Sequence, residues 1–228
     1  MRFTGYRARC GFTLMELMVV ILIIVVLAAL LFPVLGGVRE KALRTVCLGN
    51  LRHLAMASIQ YASENGGQLP FANWGSGDNA WSPGWAYNRP VAFTGNISDL
   101  TNGVLWHYIG DARVYRCPMD KGPWNANGPK LSTYIMNGAV CGYSGGMHSY
   151  RLSQFSGSDV LFWEADKFRM RAGDDLSQRP NEGLDNRHAP GACVSCFDGH
   201  VEWMPLSHFN EMANSTGPRN RLWCRPGM

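Results

Sequence analysis

The 228 residues carry 21 Lys and Arg against 17 Asp and Glu, a formal charge of +4, and without Arg2, Arg7 and Arg9 near the amino terminus the balance falls to +1. A balance so near zero offers no electrostatic footprint for nucleic acid, and none is expected as a partner. Beyond an apolar amino-terminal run roughly 190 residues remain, enough for one domain with a sizeable core.

Those three arginines are the only charges before Glu16, and the 19 residues from Leu17 to Leu35 carry none. As a helix this run is roughly 28 Å long, about the thickness of bilayer hydrocarbon, so it reads as a transmembrane segment behind a basic n-region. A secretory signal would close the run with a small-residue cleavage site, and Phe32-Pro33-Val34-Leu35 is not one. Glu16 stands at the mouth of the run, where an unpaired carboxylate is costly and an ionisable residue is by default functional. Its other reading is a helix N-terminal carboxylate that reaches the headgroups. Arg39, Lys41 and Arg44 follow the run, so charge alone does not orient the span.

The helix is expected to continue, because Leu43, Cys47, Leu51, Leu54, Ser58 and Tyr61 or Ala62 recur at steps of three and four and form one apolar stripe. Asn65-Gly66-Gly67 with Pro70 is a stop signal, which gives one helix over Phe12 to Glu64. Pro33, followed by Gly36-Gly37, predicts a kink or a locally melted turn. Past Pro70 the composition turns to Gly, Asn, Pro and aromatics, with Trp74, Trp81, Trp85 and Tyr87. Strand candidates follow at Val114 to Cys117, Ser132 to Met136, Val160 to Trp163, Ala192 to Phe197 and His200 to Met204. Asp198-Gly199 joins the last two as a two-residue type I′ turn, and Asp174 to Asn186 reads as an exposed polar loop.

The stretch GFTLME, residues 11 to 16, ahead of its apolar run resembles the class III leader of type IV pilins and type II secretion pseudopilins. The resemblance implies cleavage between Gly11 and Phe12 by prepilin peptidase, methylation of the new Phe12 amine and retention of the apolar run. It makes Glu16 the fifth residue of the mature chain, paired with the amine of a neighbouring subunit, and it places the amino terminus in the cytoplasm before processing. The remainder resembles pilin-like proteins with a C-terminal His-x9-Asp-Gly motif, here His188 and Asp198-Gly199 within RHAPGACVSCFDGHVEWM. CLGNLRHLAMASIQYASENGGQLP, VYRCP, SYRLSQFSGSDVLFWEAD and DGHVEW fit in order; Cys193 and Cys196 and the tryptophan-rich insertion depart from the pattern.

The implied fold is α+β: a long amino-terminal helix, transmembrane in its first half, packed on a small antiparallel sheet in a pilin-like head. The implied boundaries are a leader at 1–11, a transmembrane segment at 12–38, an extramembrane continuation at 39–66 and a β-rich head at 67–228. The expected function is a structural subunit of a type IV pilus or a type II secretion pseudopilus. It would sit in the inner membrane with its head in the periplasm, or at the cell surface in a filament, and its partners would be prepilin peptidase, other subunits and membrane lipid. The alternative is an envelope-anchored protein that binds a polysaccharide or other ligand through the tryptophan-rich loop.

Cys10 falls in the leader, and the even count that remains suits an oxidising compartment. Cys47 on the helix stripe and Cys117 beside Pro118 are candidates for a disulfide that would clamp head to helix, provided their Cα atoms lie within about 7 Å. Cys193 and Cys196, three apart in a strand, face opposite sides and read as buried hydrophobes or members of separate disulfides. For His188 and Asp198 the structural reading, a loop-fixing hydrogen bond and a turn residue, is preferred over metal or acid–base chemistry. No cofactor and no metal is expected. Calcium is the one candidate weighed, through Asp174, Asp175, Glu182 and Asp185 with Glu164, Asp166 and His200 nearby, although imidazole is a poor ligand for so hard an ion. No nucleophile–base pattern is present, so no enzyme and no catalytic residue is expected.

Overall fold

The computed structural model describes residues 11–74, 84–88, 97–121, 131–143, 149–165 and 176–227. It divides into two compact units, Met1–Ala42 and Leu43–Met228. Helix α1 (Leu14–Glu64) begins in the first and ends in the second. It runs without a break through Pro33, so the melted turn does not form: a proline removes one hydrogen bond, and the bonds on either side hold the helix. In the first unit every large apolar side chain from Leu14 to Leu27 is at least 45% exposed, on all sides of the helix. Among the described residues no helix is long and apolar enough to cross a membrane, and side chains 31–36, inside the expected span, lie outside those described.

In the second unit the helical stripe meets its partner. Cys47, Leu51, Leu54, Ser58 and Ala62 are all buried. The helix stops as expected, with the Asn65 amide donating to the Tyr61 carbonyl at 2.8 Å and Gly66 and Gly67 at φ of 62° and 86°. The short helices α2 (Ile97–Leu100) and α3 (Trp106–Ile109) follow. A five-stranded sheet is then built from β1 (Tyr134–Asn137), β2 (Val160–Glu164), β3 (Ser177–Gln178), β4 (Gly191–Cys196) and β5 (Val201–Pro205), in the order β3-β1-β2-β4-β5. Helix α4 (Leu206–Ala213) comes after the last strand.

The central strands β2 and β4 are buried throughout, which requires cover on both faces. The register places Tyr134 opposite Glu164 and Phe162 opposite Ser195, so Tyr134, Met136, Phe162, Glu164, Cys193 and Ser195 share one face. This face meets the inner stripe of α1, where Tyr134 reaches Cys47 and Cys193 approaches the Arg44 carbonyl. On the other face Trp163 packs against Phe209 of α4 at 5.8 Å between ring centroids.

Four expectations are corrected here. The sheet is mixed, because β3 pairs with β1 in parallel. The pair falls where an exposed loop was expected over 174–186; instead Leu176 is buried, and the backbone N–H of Met136 donates to its carbonyl while Ser177 and Gln178 continue the ladder. Val114 to Cys117 is not a strand. Its first residues form a 3-10 turn over Ala112–Tyr115, because the Asp111 carboxylate caps the Arg113 N–H at 2.9 Å and Pro118 can donate nothing to a ladder. The β4–β5 connection is a three-residue loop, Phe197-Asp198-Gly199, closed by Gly199 N–H to the Cys196 carbonyl and Cys196 N–H to the His200 carbonyl. Gly199 has a φ of 88°, whereas Asp198 keeps an ordinary φ and its carboxylate accepts from the His200 N–H at 2.9 Å. A type I′ turn needs positive φ at both central positions, so the loop takes the geometry with a single left-handed residue.

Candidate functional site

At the amino-terminal end, Thr13 and Glu16 form a reciprocal cap on α1. The Glu16 carboxylate accepts from the Thr13 N–H and from its hydroxyl, both at 2.8 Å, and the Glu16 N–H points at the Thr13 hydroxyl oxygen at 3.3 Å. This is a Thr-x-x-Glu capping box, a pattern the spacing of Thr13 and Glu16 carries in the sequence itself. Phe12 is exposed, and a side chain on Gly11 would meet no described atom within 4 Å. Nothing described in the fold therefore demands glycine at position 11.

The second arrangement is buried in the head. Cys47 comes from α1, Cys117 from the segment after the 3-10 turn, Glu164 from the end of β2 and His188 from the loop before β4. Their ligand-type atoms all lie within 4.8 Å of one another, and all four residues are buried. His188 Nε2 is 3.5 Å from the Cys117 sulfur and 3.6 Å from Glu164 Oε1. Glu164 Oε2 accepts from the Cys193 N–H at 2.7 Å, while Oε1 is buried without a hydrogen-bond partner. The Tyr134 hydroxyl lies 3.2 Å from the Cys47 sulfur. The His188 backbone is fixed separately, its carbonyl accepting from the Trp203 indole N–H at 2.8 Å.

Burial pushes the Cys47 thiol well up from its ordinary value. The Cys117 thiol is raised by its contact with Cys47 and by burial. Burial opposes a charge on His188, yet Cys117 and Glu164 outweigh it and the imidazole is raised overall.

Cys47 and Cys117, the candidates for a clamp, do meet in the head: their sulfurs lie within 4.8 Å of each other as free thiols and share the space with an imidazole and a carboxylate. His188 does more than fix a loop, since its side chain enters this cluster. Asp198 and Gly199 stay in the hairpin loop, where His200 Nδ1 pairs with Asp198 at 2.6 Å. Cys193 and Cys196 face opposite sides as expected, one toward Arg44 and the other toward the Arg221 guanidinium at 3.3 Å. Of the acidic loop weighed for calcium, Asp166, Asp174 and Asp175 lie outside the described residues; Asp185 pairs with Arg187 at 2.6 Å, and Glu182 caps its own turn at the Arg179 N–H.

The tryptophans are partly core. Trp85 is fully buried, stacked on Tyr115 and edge-on to Phe162, and Trp74 is half-buried under the Arg179 guanidinium at 5.0 Å. Trp81 lies outside the described residues.

Residues 6–32 match the prokaryotic N-terminal methylation motif. Over 62 residues the chain is 47% identical to the type II secretion system core protein G of Pectobacterium carotovorum subsp. carotovorum, a match that covers 27% of this chain and 39% of that protein. The chain thus spans about two fifths of the curated relative it matches. No solved structure matches. The motif ends well before Cys47, so the buried cluster rests on the geometry of the head.

Proposed function

We propose that this chain is a membrane-anchored structural subunit of pilin or pseudopilin type. Prepilin peptidase hydrolyses the Gly11–Phe12 peptide bond, the exposed Phe12 amine is methylated, and the apolar first half of α1 holds the product in the inner membrane with its head in the periplasm. The subunit then joins other copies or related subunits in a type II secretion pseudopilus or a type IV pilus. The observation that carries this reading is the methylation motif over residues 6–32, which contains Gly11, Phe12 and Glu16. Two features support it. Position 11 is sterically open, so the demand for a small residue comes from an enzyme outside the chain. The uncovered apolar surface of Leu14 to Leu27 suits lipid and neighbouring subunits.

Glu16 caps its own helix in the single chain. On assembly its carboxylate is available to exchange the Thr13 hydroxyl for the amine of a neighbour. The test is the mature amino terminus by mass spectrometry, together with the Glu16→Leu variant. The mature chain is expected to begin at methylated Phe12. Glu16→Leu is expected to insert, since removing the charge eases insertion by roughly 2 to 3 kcal/mol, and to be excluded from filaments. A mature chain beginning at Met1, or normal incorporation of Glu16→Leu beside wild type, refutes the proposal.

A further inference from the structure

The geometry points to a structural zinc-class site in the head, formed by Cys47, Cys117, His188 and Glu164. It goes beyond the assembly reading and stands or falls independently of it. A tetrahedral ion with metal–sulfur distances of about 2.3 Å and metal–nitrogen or metal–oxygen distances of about 2.0–2.2 Å sets its ligand atoms about 3.3–3.8 Å apart. The two separations fixed around His188 Nε2, 3.5 Å to the Cys117 sulfur and 3.6 Å to Glu164 Oε1, are edges of such a tetrahedron. The four donors come from four separate segments, so tertiary folding has gathered them.

Burial gives the cluster its meaning. A carboxylate oxygen with no hydrogen-bond partner, fully enclosed beside two sulfurs, is expensive to maintain. A divalent cation neutralises it and uses the lone pair that nothing else satisfies. A Cys47–Cys117 disulfide would leave Glu164 Oε1 and His188 Nε2 facing a neutral bridge. Two sulfurs and an imidazole select a borderline-soft ion such as zinc over calcium or magnesium. On binding, the two thiols release their protons to solvent and the thiolates donate to the metal; no electron is transferred. The Tyr134 hydroxyl then donates to the Cys47 thiolate, and the Cys193 N–H holds the second carboxylate oxygen. Four protein donors leave no open position, so the site is structural and ties α1 to β2 and to the loop before β4.

A second group of ligand-type residues provides a contrast. Cys196, His200 and Glu202 also converge, but the Arg221 guanidinium reaches both Cys196 and Glu202 and already supplies the cation.

The test uses the full chain in detergent, purified without chelator. Elemental analysis is expected to find one zinc per chain. Exchange for cobalt is expected to give a thiolate-to-cobalt charge-transfer band and the strong visible absorption of a tetrahedral ion, both unmoved by excess calcium. Cys117→Ser and Glu164→Gln are expected to lower cobalt bound at a fixed free concentration by about tenfold or more. Cys224→Ser, whose sulfur accepts from Asn137 at the other end of β1, is expected to bind as wild type does. The wild-type spectrum decides alone where a variant fails to fold. A wild-type chain that takes up no cobalt, or takes it up without the thiolate band, overturns the site, as does peptide mapping that finds Cys47 and Cys117 joined in the purified chain.

Discussion

The first half of α1 and the head treat apolar side chains in opposite ways. From Leu17 to Leu27 the helix is apolar all round, and its large side chains are open on every side. In the head the same helix narrows to a stripe in which Leu51 and Leu54 are completely enclosed while Arg52 and His53 stay exposed. An all-round apolar surface is a demand for an external solvent or partner, whereas a stripe is a demand for one layer of the same molecule. The two halves can therefore be damaged independently.

Leu54→Ala and Ile23→Ala test this contrast most strongly. Truncating Leu54 empties an enclosed position and is expected to cost the head about 2–5 kcal/mol in denaturant unfolding. Truncating Ile23, 53% exposed, is expected to leave that transition in place. Equal effects would mean that the head transition reports on the whole chain.

Gly199→Val asks whether the hairpin loop belongs to the same cooperative core. Its φ of 88° resists a β-branched residue, and a Cβ there would sit 2.8 Å from the Met56 sulfur on α1. The expected cost is about 2–4 kcal/mol, larger than that of Asp198→Ala at the neighbouring position. An unchanged unfolding midpoint for Gly199→Val would show that the loop moves apart from the helix.

The smallest effect is pH-dependent. The His200 backbone N–H, with the His200 ring, holds the Asp198 carboxyl below its usual range. The group therefore contributes stability that is present above the unfolded carboxylate value near about pH 4 and is lost as pH falls through the lower folded value. Asp198→Asn should flatten the acid limb of the head's melting temperature against pH. An acid limb as steep as that of wild type would assign it to other carboxylates.

Much of this architecture is legible in the residues. Steps of three and four mark the helix stripe, Asn65-Gly66-Gly67 marks its end, and a strand-prone run on each side of Asp198-Gly199 marks β4 and β5. The two-residue β3 is not legible, because Ser177 and Gln178 are polar and are recruited by the ladder along the edge of β1, with the Ser177 hydroxyl donating to the Met136 carbonyl at 3.1 Å. The buried cluster is half legible. Cys47 and Cys117 can be paired on paper, but Glu164 closes the run Val160-Leu161-Phe162-Trp163 and looks like a strand end, and His188 looks like a loop residue. Their meeting depends on the β1–β2–β4 register, which a linear pattern does not encode.

The order in which those partners occur along the chain also governs how the head is made. Cys47 must wait for Tyr134, 87 residues later, and Cys117 for His188, 71 residues later. Such distant closures are slow, because chain entropy is lost before the contact rewards it. During synthesis α1 emerges before the sheet, so its inner stripe stays uncovered until the strands that meet it, β1 and β4 among them, have been translated. A nascent chain passes through this adhesive interval on its way to the native head, and a chaperone that shortens the interval would raise the yield of folded protein without altering its final stability.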